Sequence, residues 1–150
     1  VFKLLLSIIA ICTLAAGCGG SDGATPGAQP NTGNTPVDDS AAAIRLVSAT
    51  EGADIQASPP EGLIILDVRT PEEFAEGHLD GAIMIDFYRD DFADQLKDLD
   101  PDTPYLLYCR SGNRSGQTTA IMDEQGFTNV ADIDGGILAW TESGFPTVTQ

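Results

Sequence analysis

The sequence has a single histidine, His78, and no two cysteines spaced as Cys-x-x-Cys, so neither a Cys/His zinc site nor a dithiol redox motif can be assembled from it. Basic residues are scarce as well: 7 Lys and Arg stand against 23 Asp and Glu, a formal charge of −16 over 150 residues. Such a chain lacks the basic stripe along which a phosphate backbone could lie, which excludes a general nucleic-acid binder. No apolar run reaches the about 20 residues of a bilayer-spanning helix. There is no Gly-x-Ser-x-Gly elbow to present a hydrolase serine, and the aspartates between Asp86 and Asp102 lack the spacing of an EF-hand. The length accommodates one domain with a useful core plus tails, and not a tandem enzyme.

What is present falls into three stretches. Leu4 to Ala16 is an apolar run broken only by Ser7 and Thr13 and preceded by Lys3, which fits the central region of a secretory signal; Val1 reads as an alternative start codon translated literally. Ala15-Ala16-Gly17-Cys18 resembles a bacterial lipobox, with Ala15 where Leu is usual. The expectation is a lipoprotein signal peptide over 1–17, removal of Cys12 with it, and lipidation of Cys18. An ordinary secretory signal with Cys18 incidental is the alternative. Residues 18–43 carry no aromatic side chain and only Val37 as a sizeable apolar group, too little to offset ordering entropy. They are expected to form a flexible linker with a reach of roughly 25–30 Å. The lipid would hold the domain against a membrane, at the cell envelope, in the periplasm or at the cell surface.

From Ile44 the pattern changes, and a folded domain is expected over 44–150. Residues 44–47, 63–66, 82–85, 105–108 and 130–133 are strand candidates, several apolar at consecutive positions as in strands buried on both faces. Thr70-Pro71-Glu72-Glu73 is a capping box with proline at the first helical position. Tyr88, Phe92, Leu96 and Leu99 recur on one helical face, and residues 115–125 form a helix ended by Gly126. Strands alternating with helices predict an α/β fold: a doubly wound, five-stranded parallel sheet with helices on both faces. Sites in such sheets form beyond the carboxyl ends of the strands, where Cys109 follows the run Tyr105 to Tyr108.

Cys109-Arg110-Ser111-Gly112-Asn113-Arg114-Ser115 concentrates the chemistry. A strand delivers a cysteine to a short polar loop with a glycine, and Ser115 is positioned to open the next helix. If the loop curls around the sulfur, backbone N–H groups and the helix N-terminus point at it as an anion-binding nest. Arg110 and Arg114 add charge, and together these lower the thiol pKa below about 8.5. The reading is a nucleophile, Cys109, inside an anion cradle.

Asp67-Val68-Arg69-Thr70-Pro71-Glu72-Glu73-Phe74, Gly77-His78-Leu79-Asp80-Gly81-Ala82, the Cys109 loop and Asp134-Gly135-Gly136 with Trp140 together resemble, in order, the rhodanese-homology family of sulfurtransferases. The resemblance implies that Cys109 forms a persulfide and that Arg110, Ser111, Gly112, Asn113, Arg114 and Ser115 hold the transferred sulfur and its donor. It implies a thiosulfate-like anionic donor, a thiol or cyanide acceptor, no metal, no organic cofactor and a monomer. Related phosphatases place Arg six residues after the cysteine and often His before it; here Arg114 comes five after and Tyr108 precedes, which disfavours a phosphatase or arsenate reductase. Ser111 stands where thiosulfate-preferring members often carry Lys, so a persulfide carrier serving a protein partner is the alternative, and a non-catalytic binding module a weaker one. Asp67, Arg69 and Glu73 are read as structural, Glu73 as the partner of Arg69. His78 is expected to bond a turn and Trp140 to pack.

Overall fold

The computed structural model describes residues 44–149; the expected signal peptide, the lipidated Cys18 and the linker lie outside the described residues. Five strands, β1 (Ile44–Val47), β2 (Ile64–Asp67), β3 (Ile83–Met84), β4 (Tyr105–Tyr108) and β5 (Val130–Ile133), form one parallel sheet in the order β1-β5-β4-β2-β3. They alternate with five helices: α1 (Ala49–Ala57), α2 (Pro71–Glu76), α3 (Phe92–Lys97), α4 (Asn113–Glu124) and α5 (Gly136–Glu142). Parallel neighbours need crossovers, and these helices supply them on both faces of the sheet.

The period-two geometry of β4 divides the core in two. Tyr105, Leu107 and Cys109 pack with Leu66, Phe92 and Leu96 of α3 and Met122 of α4, while Leu106 and Tyr108 pack on the other face with Ala49 of α1 and Ile137 and Trp140 of α5. All four residues of β4 are buried, which explains the uninterrupted apolar run at the centre of the sheet. Trp140 packs as expected, its ring against Phe145 and its Nε1–H donating to the Pro146 carbonyl at 2.9 Å.

Three local expectations are corrected. The face predicted from Tyr88 to Leu99 becomes the short α3; Phe92 and Leu96 are buried, but Tyr88 lies outside the helix and is exposed. The expected strand over 82–85 shortens to two paired residues, because β3 is an edge strand with β2 as its one partner. Helix α1 went unanticipated. Ser48 caps it by accepting from the Glu51 N–H, yet the helix buries only Ala49 and Gly52, too little to leave an apolar stripe in the sequence.

The order of strands along the sheet reverses between β2 and β4: from β2 the chain steps to β3 at one edge, and from β4 to β5 on the opposite side. At the carboxyl end of β2, Asp67 and Arg69 form a buried pair, with Arg69 Nε 2.9 Å from both carboxylate oxygens and Nη2 2.6 Å from Oδ2. Arg69 also donates to the Gly77 carbonyl at 2.7 Å, and burial, foremost, together with the nearby Asp67 charge holds the Tyr108 phenol well above its ordinary pKa. Removing one member strands the other charge in the core. Asp67→Ala is expected to cost about 3–5 kcal/mol, a Tm drop of roughly 15 °C, most of it recovered in the double variant Asp67→Ala/Arg69→Met, as thermal unfolding followed by circular dichroism will read.

Candidate functional site

Strand β4 ends at Tyr108 and delivers Cys109, 1% exposed, to the crevice where the strand order reverses. The chain then turns back through Gly112, whose φ of +90° is the left-handed conformation glycine adopts without strain. That turn aims the Gly112 N–H at the sulfur, 3.2 Å from Sγ. Helix α4 begins at Asn113, two residues before the predicted start, because the Gly116 N–H already bonds the Gly112 carbonyl at 3.0 Å. Ser115 therefore sits buried inside the first turn, its hydroxyl 3.3 Å from the Gly112 carbonyl.

Burial opposes ionisation of Cys109, but the N–H groups of Ser115, Ser111 and Gly112 and the Ser115 hydroxyl outweigh it, and the thiol pKa lies below its ordinary value. The loop thus stabilises negative charge on sulfur chiefly with dipoles.

The two loop arginines differ. Arg114 grips Glu73 with both terminal nitrogens, at 2.7 and 2.8 Å, and its guanidinium lies 5.5 Å from the Tyr88 ring centre. Glu73 is therefore the partner of Arg114 and not, as expected, of Arg69. The cause is local: Arg69, two residues beyond Asp67 along an extended chain, folds back onto it, while Thr70 and Glu73 close the capping box and set Glu73 in the first turn of α2 facing α4. The Arg114 contact, foremost, holds the Glu73 carboxyl down at about 2. Arg110 is exposed. Among the described residues it is the one cation without a carboxylate partner, since Arg45, Arg69, Arg89, Lys97 and Arg114 all have one.

Ser111 and Asn113 are exposed at the loop rim, Asn113 tied along α4 by the Gln117 amide, which donates to its side-chain oxygen at 3.0 Å. A cleft of about 290 Å³ opens beside the loop, with Arg69, Glu76, Arg110 and Leu138 in its wall. His78 lies away from the sulfur's contacts: its Nδ1 is 2.9 Å from the Phe74 carbonyl, and its backbone pairs with Val148. Among the described residues, no group of three or more His, Cys, Asp or Glu side chains is placed to hold a metal ion.

Two contributors were missed by sequence reasoning. Helix α5 clamps the loop from outside, the Ile137 N–H donating to the Cys109 carbonyl at 2.9 Å and the Leu138 N–H to the Arg110 carbonyl at 3.2 Å. With these carbonyls held outward, the loop N–H groups are left to face the sulfur. The paired glycines Gly135-Gly136 were the available signal, since such a pair before a helix marks close backbone approach. The second is Asp132, a buried carboxylate on β5 with no sequence signal beyond its place in an apolar strand.

Residues 48–143 match the rhodanese-like domain family. A thiosulfate sulfurtransferase GlpE of Pseudomonas entomophila is 39% identical over 89 residues, 59% of this chain and 79% of that protein. A sulfurtransferase of Allochromatium vinosum is 31% identical over 99 residues, 66% of this chain and 91% of that protein. Among solved structures, the crystal structure of a rhodanese-related protein from Thermoplasma volcanium aligns with a TM-score of 0.62 at 29% identity, covering 71% of this chain and 99% of the other.

Proposed function

The chain belongs to the rhodanese-like domain family and is a sulfurtransferase, and from that premise we propose that Cys109 carries the sulfur as a persulfide between an anionic donor and a thiol or cyanide acceptor. The observation that carries this reading is the buried, pKa-lowered Cys109 at the centre of a ring of N–H donors. In the first step the thiolate attacks the outer sulfur of a thiosulfate-like donor. A new S–S bond forms, the donor's S–S bond breaks, and sulfite leaves with the electron pair. The resulting terminal persulfide anion is the charge that the loop dipoles are arranged to hold. In the second step cyanide, or a thiolate, bonds to the outer sulfur, and Cys109 leaves as the thiolate.

The occupied state of Arg114 supports sulfur over phosphate chemistry. An arginine that must fork onto a tetrahedral phosphate needs free donors, and here both terminal nitrogens are committed to Glu73. Intact mass after incubation with thiosulfate tests the proposal. One added sulfur atom, removed again by cyanide, is expected; no added mass with any of a panel of sulfane-sulfur donors would sink it.

Arg110 is assigned to donor capture. On a strongly acidic chain an anionic donor meets repulsion, and an unpaired guanidinium at the cleft is the local counterweight. Arg110→Gln is expected to lower kcat/KM for thiosulfate about tenfold and to flatten its dependence on ionic strength, as steady-state kinetics across a salt series will show.

We also propose that Cys18 is lipidated and holds the enzyme at the cell envelope through residues 19–43. Cys18→Ala should abolish incorporation of a labelled fatty acid in a bacterial host and move the protein from the membrane to the soluble fraction; unchanged labelling would overturn the assignment.

A further inference from the structure

The cleft of about 290 Å³ beside the loop carries four charged side chains, Arg69, Glu73, Glu76 and Arg110, together with Leu138 and Thr141 of α5. Two of these charges are already spent. The buried Asp67 neutralises Arg69, and Arg114 holds both carboxylate oxygens of Glu73. Glu76 and Arg110 are exposed, neither has an ion-pair partner among the described residues, and they do not pair with each other across the cleft they share. Glu76 also stands in the last turn of α2, where free helix carbonyls disfavour a negative charge and no basic residue offsets it. Nothing in the helix rewards a carboxylate there.

We propose that Glu76 is a specificity-determining residue for the second half of the reaction, selecting acceptor thiols that carry an ammonium group, and that with Arg110 it fits the cleft to a zwitterionic amino-acid thiol. Two unlike charges held apart in one cleft are complementary to a ligand that bears both, its ammonium on Glu76 and its carboxylate on Arg110. The volume lies at the small end of ligand sites and suits a low-molecular-weight thiol, to whose carbon chain the exposed Leu138 offers apolar surface. Arg110 can serve both substrates because they come in turn, sulfite having left before the acceptor enters.

This assignment rests on the proposed Cys109 persulfide. The acceptor thiolate bonds to the outer sulfur, the bond from that sulfur to Cys109 breaks, its electron pair returns to Sγ, and the acceptor departs as its own persulfide anion. A purely anionic thiol meets repulsion from Glu76 and from the strongly negative chain. A zwitterion is spared most of it.

The test uses the full chain, loaded by thiosulfate or another sulfane-sulfur donor, checked by intact mass and then discharged by free cysteine, cysteamine, mercaptopropionate or mercaptoethanol. Rates are compared per thiolate and taken relative to mercaptoethanol, which carries neither charge. In wild type they should run cysteine, then cysteamine, then mercaptopropionate. Glu76 is exposed at a helix end, so its variants should fold. Glu76→Gln should lower the relative rates of cysteine and cysteamine about fivefold, the scale of one ion pair at an exposed cleft, with that of mercaptopropionate level or raised. Glu76→Lys should place mercaptopropionate ahead of cysteamine. Mercaptopropionate ahead of cysteamine in wild type, equal relative rates in wild type and Glu76→Gln, or a loss shared by mercaptopropionate overturns the inference and leaves sulfur transfer itself standing. Failure to load counts against the proposed function, and the cleft is then read directly with S-methylcysteine, which has both charges but no thiol. It should slow iodoacetamide modification of Cys109 saturably in wild type and bind about fivefold more weakly in Glu76→Gln; equal slowing in both, or none, overturns the inference.

Discussion

A Cys109→Ser variant should gain no sulfur from thiosulfate and should turn over cyanide at least about 10³-fold more slowly than the wild type, at or near the uncatalysed rate. The loop can bring the ionisation of a thiol, ordinarily at about 8.5, toward neutrality, but a serine hydroxyl at the same place remains un-ionised and its oxygen is a poor partner for sulfane sulfur. The substitution is close to isosteric, and the Gly112 N–H that reaches Sγ at 3.2 Å has an oxygen acceptor in its place. Stability is expected to change by no more than about 1 kcal/mol, so the loss is chemical. Intact mass, cyanide kinetics and thermal unfolding on one preparation separate the two effects. A persulfide mass gain in the folded variant would move the sulfur off Cys109 and dismiss the loop as its cradle.

Gly136→Ala should be nearly as damaging by a different route. The residue has φ of +59°, and a Cβ built on it would lie 2.4 Å from the Cys109 carbonyl oxygen and 2.8 Å from the Arg110 carbonyl carbon. These are backbone atoms of the active loop and cannot rotate aside as a flexible side chain could. Either α5 moves away, losing the Ile137 and Leu138 N–H bonds to those carbonyls, or the loop itself deforms. A cost of about 4 kcal/mol or more is expected, a large share of the stability of a domain this size. In whatever folded fraction remains, kcat should fall at least about 100-fold, the scale of losing one oriented donor to a developing anion. Chemical denaturation and single-turnover persulfide formation are the measurements. A normal denaturation midpoint with normal persulfide formation would show that α5 has no part in shaping the loop.

The parts of this molecule that sequence revealed are those whose cause is local. Consecutive apolar residues at 105–108 marked the central strand, since a strand covered on both faces has no polar alternation to show. The Thr70 capping box was legible for the same reason, both of its bonds spanning three residues. Where cause is distant, the reading failed. Glu73 was assigned to Arg69, four residues away, when its partner Arg114 is 41 residues away on another helix, a pairing set by how α2 and α4 meet across the sheet edge. Asp132 carries no mark in the sequence that distinguishes a buried carboxylate from a solvated one, because burial is a property of the assembled sheet. Helix α1 escaped because Gly52, which stands 3.2 Å from Ile133 if given a Cβ, serves close packing with a residue that lowers helix propensity.

Helix α2 buries none of its six residues, whereas every residue of β4, one position before the sulfur, is sealed in the core. The capping box of α2 and the pairing of its Glu73 with Arg114 therefore matter more to that helix than burial does. Without Glu73 the loop would carry a second uncompensated positive charge beside Arg110. The charge that the sulfur cradle offers an anion is thus set in part by a helix that does not touch the sulfur.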